Sequence, residues 1–148
     1  MQKLKILNTR EVKEILRHLK EQFGYEEKLD YVFLLSEKDK IYIINKDIER
    51  IDLEKIRINT MGIYFGTLQN NEGLRLSVEG SQIIGDKAKK NIVELDDNER
   101  DEWFKGIEIE KDAGHGFVLI RHGNDLIGCG KAMKGKIHNY LPKIRRIC

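Results

Sequence analysis

Two cysteines, one proline and no extended apolar run mark what this chain of 148 residues lacks. Cys129 and Cys148 are not set in a C-x-x-C pair, so the usual spacing of a structural zinc site is missing. Two cysteines in this length do not make a disulfide framework either. A reducing, cytoplasmic setting is the expectation. No stretch approaches the ~18 apolar residues of a membrane span, and the first residues, MQKLKILNTREVKE, lack the apolar run of a secretory signal; no membrane partner is expected. The four histidines, His18, His115, His122 and His138, show no ligand spacing, and no serine or cysteine partner for a catalytic base is implied. Neither a metal site nor a cofactor is expected.

Acidic residues are scarce toward the C-terminal end. The chain has 27 basic and 25 acidic residues, a formal net charge of +2. From His115 to Cys148 the one acid, Asp125, stands against seven bases: Arg121, Lys131, Lys134, Lys136, Lys143, Arg145 and Arg146. That segment carries +6, which leaves −4 for residues 1–114. Such a split suggests that the C-terminal end meets a polyanion, with its cations gathered onto one groove. The acidic run Asp96, Asp97, Glu99, Asp101 and Glu102 reads as a solvated helix N-terminus, with a protein-docking face as the alternative.

Hydrophobic spacing gives two α/β halves. Val12, Ile15, Leu16, Leu19 and Phe23 recur at helical intervals, predicting a helix over 9–23 capped by Thr9 and ended by Gly24. YVFLL (31–35) and IYII (41–44) form a hairpin around SEKDK, and a short helix is expected over 48–56. GIYFGTL (62–68) and LRLSV (74–78) form a second strand pair around QNNEG, and 79–88 reads as a helix. Past Lys90 come a strand at 91–95, the acidic helix 96–104 and a strand through Ile107 and Ile109. GFVLIR (116–121) and LIGCGKAM (126–133) then pair around His122-Gly123-Asn124-Asp125. Trp103 and Phe104 read as core anchors and Cys129 as a core thiol. The boundary falls near 85–92 with no flexible linker, so the halves are expected to pack together.

The last third carries the densest motif: Gly128, Gly130 and Lys131, then Gly135, then KIHNYLPKIRR over 136–146. Glycines within a strand mark a bulge or a close backbone approach, by a neighbouring strand or by a ligand. Tyr140 and His138 are candidates for stacking on an unpaired base. This segment resembles the PUA-type domain that ends the Sun/Fmu family of RNA 5-methylcytosine methyltransferases, in Gly128, Gly130, Lys131, Gly135, Asn139, Pro142, Lys143 and Arg146. His138 stands where that family usually has lysine. DEWFKGIEI is similar to the PUA passage in which a helix runs into a Lys/Gly turn, here Lys105 and Gly106. GIYFGTLQNNEGLRLSVEG resembles the N-terminal domain of an archaeal and eukaryotic large-subunit biogenesis factor that also ends in a PUA domain, through Gly62, Phe65, Gly66, Arg75, Leu76 and Gly80.

The resemblance implies an α+β protein: a small N-terminal α/β domain (1–88) of antiparallel strands and helices, followed by a PUA-like β-pseudobarrel (89–148). It further implies binding of structured RNA, ribosomal or transfer, rather than DNA, in ribosome biogenesis or RNA modification and alongside proteins of those systems. The implied RNA contacts are Lys105, Gly106, Arg121, Gly128, Gly130, Lys131, Lys134, Lys136, Asn139, Tyr140, Lys143, Arg145 and Arg146. No enzyme is expected. A methyltransferase needs a cofactor-binding βα domain with a Gly-rich turn, and the family's nucleophilic Pro-Cys has no counterpart in this sequence. The alternatives are a protein-interaction adaptor and an accessory RNA-binding subunit serving a methyltransferase in trans.

Overall fold

A computed structural model describes residues 4–45, 62–69 and 72–147. The first sheet is an antiparallel meander, β1(Leu4–Ile6), β2(Tyr31–Ser36), β3(Lys40–Asn45), β4(Ile63–Gln69) and β5(Gly73–Leu76), hydrogen-bonded in chain order. Helix α1(Thr9–Phe23) follows the first strand. Its N-cap is Asn8, not Thr9. Asn8 Oδ1 accepts from the Glu11 N–H at 2.9 Å and the Glu11 carboxylate accepts from the Asn8 N–H at 3.1 Å. Both residues are cap formers, but only Asn8 has a glutamate three positions on to close the reciprocal pair. Gly24, left-handed at φ 65°, ends the helix as expected.

The helix expected over 48–56 lies outside the described residues. Val78 does not extend β5; it begins α2(Val78–Gly85), capped by the Ser77 hydroxyl. Chain passage from the first sheet to the second runs through α2 and residues 86–91.

The second sheet has the order β6-β8-β9-β10-β7, from β6(Ile92–Glu94), β7(Ile109–Glu110), β8(Gly116–His122), β9(Asp125–Met133) and β10(Lys136–Asn139). Strands β6 and β8 run parallel and the other neighbours antiparallel. Helix α3(Asp97–Phe104) starts at Asp96 with a second capping box, closed by Glu99. The acidic run is therefore a capped helix start, two of whose carboxylates lie in the first turn, where the helix dipole favours them. Ile107 is exposed, and the strand expected there is only Ile109–Glu110.

This α+β architecture carries two principal cores. One, around Trp103, fills the second sheet with Leu95, Ile109, Val118, Ile120, Ala132 and Ile137. The larger is shared by both sheets: Ile15, Leu19, Phe23, Phe33, Phe65, Leu74 and Leu76 pack with Phe117, Leu119, Leu126 and Cys129. The halves are joined by buried apolar surface, which is the dominant favourable term in folding. Among the described residues no helix is long and apolar enough to cross a membrane.

Candidate nucleic-acid interface

The register of the second sheet decides which side chains share a face. His138 stands opposite Lys131, and Lys131 opposite Phe117. Successive strand residues point to opposite faces, so these three form one cross-strand row while Ile137 and Ala132 turn into the Trp103 core. A bulge between Ile120 and Arg121 sends Leu126 toward the first sheet and Ile127 toward Trp103.

The row faces β5. Tyr140, just past β10, has its ring 4.8 Å from His138 and 6.5 Å from Phe117, centroid to centroid. Arg75, on β5, lays its guanidinium carbon 4.3 Å from the Tyr140 centroid. Lys131 Nζ is 2.7 Å from the Glu72 carboxylate and 5.9 Å from the Phe117 centroid. Beside it an open cleft of about 340 Å³ is lined by Glu21, Gln22, Asn91, His115 and Gly116, as well as Glu72, Phe117 and Lys131. Its two carboxylates make it a poor seat for phosphate.

The basic residues do not converge on a single groove. Arg121 pairs opposite Leu126 and Lys136 opposite Met133, seven residues apart along β9 and so roughly 23 Å at ~3.3 Å per residue. Lys134 and Lys136 are exposed at the β9–β10 turn. Lys143 and Arg145 lie in the 3-10 turn after Pro142, at the opposite end of β10. There Arg146 folds over Gly106, its Nε donating to the Leu141 carbonyl at 2.9 Å, and the Ile147 N–H donates to the Phe104 carbonyl. Gly106 and Arg146 are thus brought together, with exposed Lys105 next to them.

Acids remote in sequence neutralise three of the expected cations. Arg121 bonds Glu94 at 2.7 Å, Lys131 bonds Glu72, and Arg145 bonds Glu79. The Arg121 guanidinium holds the Glu94 carboxyl below its ordinary range, helped by the Gly123 N–H. A count of charge within one segment cannot register partners on β6, on α2 or before β5. Lys105, Lys134, Lys136 and Lys143 have no ion pair among the described residues.

Three expected contacts are occupied by the fold itself. Asn139 is buried; its Nδ2 donates to the carbonyls of Trp103 and Ile107, at 2.9 and 3.1 Å, and its Oδ1 accepts from the Leu141 N–H at 2.8 Å. Both N–H donors are used within the protein, and burial keeps the side chain from a ligand. The close approach at Gly128 and Gly130 is made by protein: a Cβ on Gly130 would fall 2.6 Å from Ile137 Cγ2 and 3.1 Å from the Trp103 ring, and one on Gly128 3.5 Å from that ring. Both glycines are buried beneath the indole, whose N–H donates to the Ile127 carbonyl.

Sequence reading did not single out Arg75 or Glu72 as site residues. A signal was present for Arg75, a cation between the two buried leucines 74 and 76, whose side chain must leave the opposite face of the strand. Cys129 is buried and its thiol is pushed up to about 12, chiefly by loss of solvent. No group of three or more potential metal ligands occurs among the described residues.

A five-stranded antiparallel meander with a capping helix, packed against a curled five-stranded sheet built around Trp103, defines a two-part protein of the pre-PUA plus PUA class. Residues 4–78 match the NIP7/UPF0113 pre-PUA domain, and residues 90–147 match the PUA domain of the RsmF methyltransferases. The first match takes in half of the chain, and the chain belongs to that pre-PUA family. Its relatives include Ribosomal RNA small subunit methyltransferase F of Vibrio cholerae, 30% identical over 132 residues (88% of this chain and 27% of the relative). The protein of the same name from Aeromonas salmonicida is 27% identical over 139 residues, 93% of this chain and 28% of the relative. That from Vibrio vulnificus is 32% identical over 92 residues, 62% and 19%. The chain spans about a quarter of the length of the curated relatives it matches over most of its own.

Proposed function

We propose that this chain is a cytoplasmic, non-catalytic RNA-binding unit that engages structured RNA, ribosomal RNA foremost, in an RNA-modification system. The observation that carries the reading is the set of exposed lysines of the second half, Lys105, Lys134, Lys136 and Lys143, that no described acid neutralises. Cations held this way exchange counterions for phosphates, the main source of nucleic-acid affinity. The relatives' name supports ribosomal RNA over transfer RNA. Cys129 offers no nucleophile, since its thiol is buried and its pKa is raised by loss of solvent.

A salt titration tests it. Filter binding of small-subunit ribosomal RNA fragments is expected to show log affinity falling linearly with log salt, by about 0.7–0.9 per phosphate contacted. A flat line overturns the reading. Replacing Lys134 and Lys136 with alanine should flatten the slope by about one per residue.

A second reading, an accessory subunit serving a methyltransferase in trans, is favoured by the same relatives and by a cluster of exposed isoleucines, Ile144, Ile147 and Ile107, around the C-terminal turn. Adding the protein to an RsmF-type catalytic domain stripped of this region should raise methylation of ribosomal RNA; unchanged methylation removes that reading.

A further inference from the structure

We propose that Arg75 and Tyr140, one from each half, form a stacking platform for a single unpaired RNA base, so that the RNA path crosses the seam between the two sheets. This rests on the RNA-binding reading and adds to it a ligand class, an extruded or loop nucleotide, and a contact from the pre-PUA half.

Four observations meet at this point. First, Arg75 is the cation nearest the seam that the fold leaves without a carboxylate: among the described residues its guanidinium has neither an ion pair nor a side-chain hydrogen bond, while its neighbours Lys131 and Arg145 are both paired. Second, it is held against an aromatic ring: at 4.3 Å from the Tyr140 centroid the guanidinium carbon lies well inside cation–π range. Third, the phenol does not move freely. It is braced by His138 and Phe117, and its backbone follows Asn139, whose three hydrogen bonds fix the end of β10. Fourth, both residues are only partly buried, so the platform is reachable from solvent.

A guanidinium stacked on an aromatic ring presents a planar, cationic, weakly hydrated surface. An unpaired base stacks on such a surface, whereas a paired base has both faces occupied within its helix. Neighbouring groups suit the flanking nucleotides. Lys136, at the start of the strand that carries His138, is placed for a phosphate on the second-sheet side. The acid-lined cleft beside Phe117 is unfavourable to phosphate, which directs the backbone past it on the Lys136 side.

The experiment compares two RNAs of the same sequence, a hairpin with a 2-aminopurine in its loop and the corresponding full duplex, bound to the whole chain as wild type, Arg75→Lys, Arg75→Ala and Tyr140→Leu. Folding of each variant is checked by the emission of the single tryptophan. Wild type is expected to quench the probe in the hairpin. Arg75→Ala and Tyr140→Leu should weaken hairpin binding on the order of 10-fold, within the ~1–3 kcal/mol of one stacked base, and leave duplex binding unchanged. Arg75→Lys, which keeps the charge and loses the plane, should hold the salt slope yet lose the quenching. Equal hairpin affinity and quenching in wild type and Arg75→Ala overturns the platform while salt-dependent binding to both RNAs still upholds the wider reading. Salt-independent binding by wild type defeats both.

Discussion

Asn139 fastens the end of β10 to the last turn of α3: its buried amide donates to the Trp103 carbonyl at 2.9 Å, and two further bonds tie it to Ile107 and Leu141. A residue that resemblance placed among the RNA contacts therefore acts one step back, by setting where Tyr140 begins. Asn139→Ala is expected to destabilise the protein by roughly 1–3 kcal/mol in chemical denaturation, because the Ile107 carbonyl and the Leu141 N–H lose this partner while the Trp103 carbonyl keeps the Gly106 N–H. Asn139→Asp should be no rescue, since a carboxylate cannot donate to either carbonyl.

Glu72 is the acid that occupies Lys131. Glu72→Gln should free that lysine. RNA affinity is then expected to rise about 2- to 5-fold at low salt, with the log–log salt slope steeper by about one, as for one added phosphate contact. Parallel filter-binding titrations of the two proteins read this out directly.

Arg121 and Glu94 give the acid limb of stability a definite sign. The folded carboxyl sits below its ordinary value, so its contribution is present above that value and is lost as pH falls through the folded pKa. Arg121→Ala should remove this loss, and the difference in melting temperature between variant and wild type should shrink as pH falls from 6 toward 3. The pair is largely exposed, so the effect at neutral pH is small. RNA affinity should hardly change, because Arg121 is already partnered.

Cys129 should be silent toward thiol reagents in the native protein. With the thiol raised to about 12, the thiolate is scarce at pH 8, and burial blocks access as well. Ellman's reagent is expected to modify Cys129 only on addition of denaturant, at the same midpoint as the loss of tryptophan burial.

Much of the fold was legible because its signals are local. Apolar spacing in the first helix, the two hairpins of β2–β3 and β4–β5, and the hairpin around His122–Asp125 all sit where the pattern of residues puts them. The two short strands at 4–6 and 136–139 were missed for the same reason: LKI and KIHN are three- and four-residue segments too brief to show a period, and neighbouring strands make them strands. At the interface, residue type was readable and pairing was not. Lys131 and Arg145 look free in sequence because their acids lie 59 and 66 positions away. Asn139, Gly128 and Gly130 look equally functional or structural until Trp103 is seen to fill the space beside them. Arg75 stays anonymous until the second sheet brings Tyr140 to it.

The apolar cluster that runs from Phe33 and Phe65 through Leu76 to Phe117 and Leu119 leaves no hinge between the halves. Their mutual orientation is settled when the chain folds, before any RNA arrives. An RNA that touches both halves meets two surfaces already packed on a shared core, which lowers the cost of ordering them on binding. The same cluster makes either half, cut away alone, a protein with a raw hydrophobic wound, so any transplant of this module onto an enzyme has to carry both sheets.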